Sequence, residues 1–110
     1  MIAREKETCG NPAIESVLGG VPDSVPERLR ALSPIELLPL RVPAVLIAGS
    51  QDFISPRPVL DAYANAARAK GDSVVIITTD GEGHFESIAP SREAAKAAVE
   101  TMKRMLLRRP

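Results

Sequence analysis

The chain has 110 residues, 45% hydrophobic and 25% charged, which suits one globular domain and is too short for two. Its 14 Lys and Arg balance 14 Asp and Glu, so no electrostatic argument favours a nucleic-acid or membrane-surface partner. No apolar run approaches the ~20 residues that span a bilayer, Met1–Thr8 lacks the apolar core of a signal peptide, and the single Cys9 has no internal disulfide partner. Together these predict a cytoplasmic location.

Residues 1–43 read as an irregular, partly helical lead-in, punctuated by Pro12, Pro22, Pro26, Pro34, Pro39 and Pro43. Gly19-Gly20-Val21-Pro22-Asp23 reads as a turn. Pro26–Leu32 suits a short helix, with proline tolerated in its first turn and Glu27 favourable at its N-terminus. Ser33-Pro34 ends it, because the residue before a proline avoids the α region. A second short amphipathic piece, Ile35–Leu38, leads to Pro39.

Residues 44–107 read as strand, helix, strand, helix. Ala44-Val45-Leu46-Ile47-Ala48 and Val74-Val75-Ile76-Ile77-Thr78 are near-continuous apolar runs, the pattern of strands buried on both faces. Between them, Pro56–Lys70 predicts a helix with Ser55 as N-cap and Gly71 in the left-handed position after its last turn. Val59, Ala62, Tyr63, Ala66 and Ala67 form its expected apolar stripe. The unit should therefore be a parallel, right-handed βαβ crossover. A last helix, Ser91–Leu107, is expected to be capped by Ser91 and to bury Ala95, Ala98, Val99, Met102 and Leu106. Residues 92–109 hold six Lys or Arg against two Glu, read as a solvated face with cations near the helix C-terminus. Two strands cannot bury both faces of a sheet, so the chain reads as one end of a larger α/β domain.

Two polar residues stand out against this frame. Asp52 follows the first strand through Gly49-Ser50-Gln51. His84 follows the second within a long connection from Thr79 to Pro90, and long strand-to-helix loops are usually functional or disordered. In a parallel sheet both emerge at the carboxyl edge, where open α/β sheets bind ligands. Histidine is the usual general base, with a reference pKa of ~6.5, and a carboxylate beside it selects its tautomer and stabilises its cation. The two side chains should therefore lie within hydrogen-bond reach. The bland alternatives are a surface histidine between turn glycines and an aspartate that forms a turn or caps a helix.

Other chemistry is poorly supplied. Asp80, Glu82 and Glu86 crowd His84, but one histidine with loop acids is a thin ligand set, so no metal is expected. GxGxxG and CxxC patterns are absent, and no cofactor is expected. None of the eight serines has glycine at both −2 and +2, as a nucleophile elbow in its usual form requires.

Ser33-Pro34, Leu37-Leu38-Pro39, Val42-Pro43 before the first strand, Gly49-Ser50-Gln51-Asp52 with Pro56, and Gly81-Glu82-Gly83-His84-Phe85 appear in order. Over residues 19–107 this resembles the C-terminal third of α/β-hydrolase-fold serine hydrolases, in the esterase and prolyl-oligopeptidase-like branch. The resemblance implies that Asp52 is the triad acid, His84 the triad base, and Phe85 and Glu86 supports of the histidine loop. The family's serine elbow and oxyanion loop would lie upstream, so the chain resembles a fragment, from a truncated or split gene. The implied activity is cleavage of small ester or peptide substrates once joined to an N-terminal hydrolase segment. The alternatives are a non-catalytic interaction module, self-association included, or an inactive remnant.

Overall fold

A computed structural model of the chain describes residues 13–107; Cys9, Pro12, the Met1–Thr8 stretch and the basic residues 108 and 109 lie outside them. The described residues form a mixed α/β structure around a two-stranded parallel sheet. Strand β1, Ala44–Gly49, pairs with β2, Val74–Thr79, with Ala44 opposite Val74 and Gly49 opposite Thr79. Each strand runs one residue beyond the apolar run that marks it. Because the strands pair without offset, both chains leave the sheet at one level, and so do the two loops that carry Asp52 and His84.

The lead-in is more ordered than its prolines suggest. Helix α1, Ala13–Leu18, forms where an irregular segment was expected. Gly19 closes it at φ 72°, with the Gly19 and Gly20 N–H groups both donating to the Glu15 carbonyl. A 3₁₀ turn at Pro22–Ser24 follows, then α2, Pro26–Leu32, with the expected bounds. Ile35–Leu38 is not helical: Glu36 N–H to Ser33 and Leu37 N–H to Pro34 make it a turn, since prolines on both sides leave too short a stretch to nucleate. The Asp72 carboxylate then accepts from Leu40 N–H at 2.7 Å and Arg41 N–H at 2.9 Å, holding Arg41 at φ 59°.

Helix α3, Arg57–Ala69, crosses over the sheet between the strands. Pro56 occupies its N-cap position without a side-chain cap, so Ser55 does not serve as cap. Gly71 sits at φ 91°, as the glycine predicts. Ala64 and Ala67, both 0% exposed, press α3 onto the sheet and form a core with Leu38 and Val74. Tyr63, Ala66, Leu46 and Ile76 pack around it, while Ala62 is exposed, so Ala64 takes its place in the stripe.

Helix α4, Glu93–Leu107, also lies against both strands, and its buried residues stand apart from the α3 core. It buries Ala94, Ala95 and Thr101 and leaves the larger side chains out: Met102 is 55% exposed and Leu106 73%. Of the expected stripe, Ala95 is thus buried and Ala98 half-buried, while Val99, Met102 and Leu106 are turned outward. Small residues allow a close helix–sheet approach, and here that closeness outweighs side-chain size. The strands are correspondingly only half buried, with Val75 exposed, rather than covered on both faces.

Candidate functional site

The site grows from the carboxyl edge of the sheet. The Ser50 N–H donates to the Thr79 carbonyl at 2.8 Å and the Gln51 N–H to the Glu82 carbonyl at 2.9 Å, zipping the two loops together past the strand ends. Ser50 adds a side-chain stitch: its Oγ accepts from Gly81 N–H at 2.9 Å and donates to Asp80 Oδ1 at 3.2 Å. Gly49 makes this possible. A Cβ there would overlap the Glu82 carbonyl, so only glycine lets the second loop lie across the end of β1.

Asp52 lies at the centre of the first loop. Its Oδ1 accepts from the Ile54 N–H at 2.9 Å and the Ser55 N–H at 2.8 Å, and its Oδ2 meets His84 Nδ1 at 3.0 Å. The turn-forming and histidine-pairing roles therefore coexist, one on each oxygen. Burial pushes the Asp52 carboxyl up, but the Ser55 N–H, the His84 imidazole and the Ile54 N–H outweigh it and hold the group below the usual carboxylate range. The side chain is 5% exposed and that of His84 33%, so a protected anion backs an imidazole that solvent reaches.

His84 is oriented from both sides. Phe85 stands edge-on to its ring, with centroids 5.1 Å apart at 85°. Glu86 opens a 3₁₀ turn, Glu86–Ile88, and accepts from the Gly83 N–H at 3.1 Å, bracing the loop. With Nδ1 committed to Asp52, no hydrogen bond holds Nε2 among the described residues.

The acids that crowd His84 in sequence do other things in space. Asp80 bonds Ser50, Glu86 bonds Gly83, and Glu82 turns away to the start of α4, where its oxygens accept from the Glu93 and Ala94 N–H groups at 2.8 Å each. Burial pushes the Glu82 carboxyl up, and these two N–H groups lead the contributions that more than reverse it. Glu82, not Ser91, thus supplies the anion at this helix end, and α4 starts at Glu93 rather than at Ser91. Sequence reasoning missed this because the cap comes from a neighbouring loop rather than from the residues before the helix. Among the described residues no group of three His, Cys, Asp or Glu is arranged to hold a metal, and no helix is long and apolar enough to cross a membrane.

No known family, curated protein or solved structure matches the chain.

Proposed function

We propose that the chain supplies the acid and base of a serine hydrolase relay, Asp52 and His84, to a nucleophilic serine carried by another segment, within an α/β-hydrolase fold. The observation that carries this reading is the 3.0 Å contact between a protected carboxylate and a solvent-accessible imidazole at one sheet edge. In this relay the Nδ1 proton points to Asp52 and Nε2 is the base. Nε2 takes the serine hydroxyl proton as Oγ attacks an ester or amide carbonyl, then returns it to the leaving group; water repeats the cycle to release the acid. Phe85 and Glu86 hold the histidine loop. Substrates are small esters or peptides, without nucleic acid, membrane or cofactor, and the setting is cytoplasmic.

The test joins the chain to the segment encoded upstream, in which a G-x-S-x-G serine is expected. The chain alone should resist a fluorophosphonate probe, whereas the joined protein should be labelled and hydrolyse short aryl esters. A folded joined protein that is neither labelled nor active overturns the proposal, as does an upstream segment without such a serine.

A second reading, a non-catalytic interaction module or a remnant, draws support from the exposed Val99, Met102 and Leu106 of α4. It has no need of the Asp52–His84 pair, so in that case Asp52→Asn would leave the function of the joined protein unchanged.

A further inference from the structure

Glu82 lies two residues before His84, yet its side chain never meets the histidine. At 6% exposure it is the most buried polar residue among the described ones. Its Oε1 and Oε2 accept from the Glu93 and Ala94 N–H groups, each at 2.8 Å, while its carbonyl accepts from the Gln51 N–H at 2.9 Å. A buried carboxylate needs such partners, and charge-assisted bonds at the positive end of a helix are the strong kind. One residue therefore fastens the loop to α4 through its side chain and to the Asp52 loop just past β1 through its backbone. Two residues after the histidine, Glu86 ties back to Gly83. His84 hangs between these two attachments, and its reach to Asp52 depends on where they sit.

We infer that Glu82 is a positioning residue for His84: its hold on the start of α4 and on the Asp52 loop fixes the loop that brings the imidazole to Asp52. The catalytic consequence rests on the relay proposed above; the positioning itself does not. A simple helix cap would stabilise α4 and leave the imidazole where it is, whereas a positioning residue moves the imidazole when it is altered.

His84 is the only histidine, so its ring nitrogens give isolated NMR signals in the full chain. Asp52→Asn supplies the signature of the disturbed pair. Glu82→Gln turns an NH₂ toward one of the two helix donors and loses half the clamp. Glu93→Pro leaves Glu82 intact and removes one donor at a first helical position, where proline is tolerated. Both should move the imidazole signals toward those of Asp52→Asn, Glu82→Gln further. In the joined hydrolase, Glu82→Gln should lower kcat about 10²-fold, the scale of a 1 Å misplacement, with KM changed less than about twofold and partial recovery in Glu82→Asp. Unmoved imidazole signals in both variants, with the α4 amides intact, overturn the inference. If Glu82→Gln fails to fold, Glu93→Pro decides alone. Moved signals in a joined protein without hydrolase activity keep Glu82 as positioner and sink the relay; an active joined protein indifferent to Glu82→Gln sinks the positioner and keeps the relay.

Discussion

Asp52 satisfies its loop with one oxygen and its histidine with the other, so substitutions there should separate chemistry from folding. If the proposed relay operates, Asp52→Asn in the joined protein keeps the shape but favours the wrong imidazole tautomer, an effect on the order of 10⁴ in kcat. On the same proposal His84→Ala removes the base and should be at least as severe, because relay members would act as a unit. Glu86→Gln keeps an oxygen for the Gly83 N–H and should cost far less. Steady-state ester hydrolysis by the three variants checks this; a harmless Asp52→Asn beside a crippling Glu86→Gln would mean that the acid is wrongly assigned. Asp52 and Glu82 also contribute to how the stability of the fold depends on pH in acid. Asp52 and Glu82 both lie below their ordinary values when folded, so the unfolded chain takes up their protons first as pH falls. Their stabilisation is complete above the unfolded values of ~3.9 and ~4.3 and is lost as pH drops through the lower folded ones. Urea melts below about pH 4 should therefore depend less on pH in Asp52→Asn and Glu82→Gln; wild-type slopes in both variants would refute the linkage.

At the level of elements, the site depends on two loops lying across the end of one strand, and Gly49 is where they meet. Gly49→Ala should cost about 3 kcal/mol, the upper range of overpacking, because the Cβ collides with the Glu82 carbonyl rather than with a flexible side chain. Gly71→Ala faces open space and bears only the strain of its positive φ, about 1 kcal/mol. Denaturant melts should rank them in that order, with the His84 signals disturbed in the first alone; equal costs would show that the close approach is relieved elsewhere. The elements themselves were mostly legible: both strands, α2, the α3 helix and the Gly71 stop follow from apolar runs, proline and glycine. Helix faces were harder. On α4, the expected Ala95, Ala98, Val99, Met102 and Leu106 and the alternative Ala94, Ala98 and Thr101 have equally good helical spacing, and residue size rather than periodicity favours the first set. The sheet takes Ala94 and Thr101 along with Ala95 and leaves the larger residues out.

For the described residues as a whole, the apolar surface exceeds what two strands can cover. No large apolar side chain among them is fully buried, and Val75, Val99, Met102, Leu106 and Ile88 stay exposed. An apolar groove lined by Pro34, Ile35, Leu46, Val59 and Tyr63 remains open between the lead-in and α3. Exposed faces and open strand edges of this kind favour association. The isolated chain is expected to self-associate at micromolar concentration and to bind a hydrophobic dye, with Met102→Lys and Leu106→Lys together reducing both. Sedimentation velocity reads the outcome, and a clean monomer with a sharp, cooperative melt would remove the case for a missing partner surface.

The sequence by itself determined the order of elements from α2 onward, the parallel crossover and the arrival of Asp52 and His84 at one edge. These depend on local signals, apolar runs with turn residues between them, and on the rule that a helical crossover returns a strand parallel. Tertiary structure alone decided which oxygen of Asp52 meets the imidazole, that Gly49 yields space to Glu82, and that Glu82 rather than Ser91 holds the start of α4. Each of these joins residues from different elements. Spacing along the chain limits what can meet, but only packing selects what does.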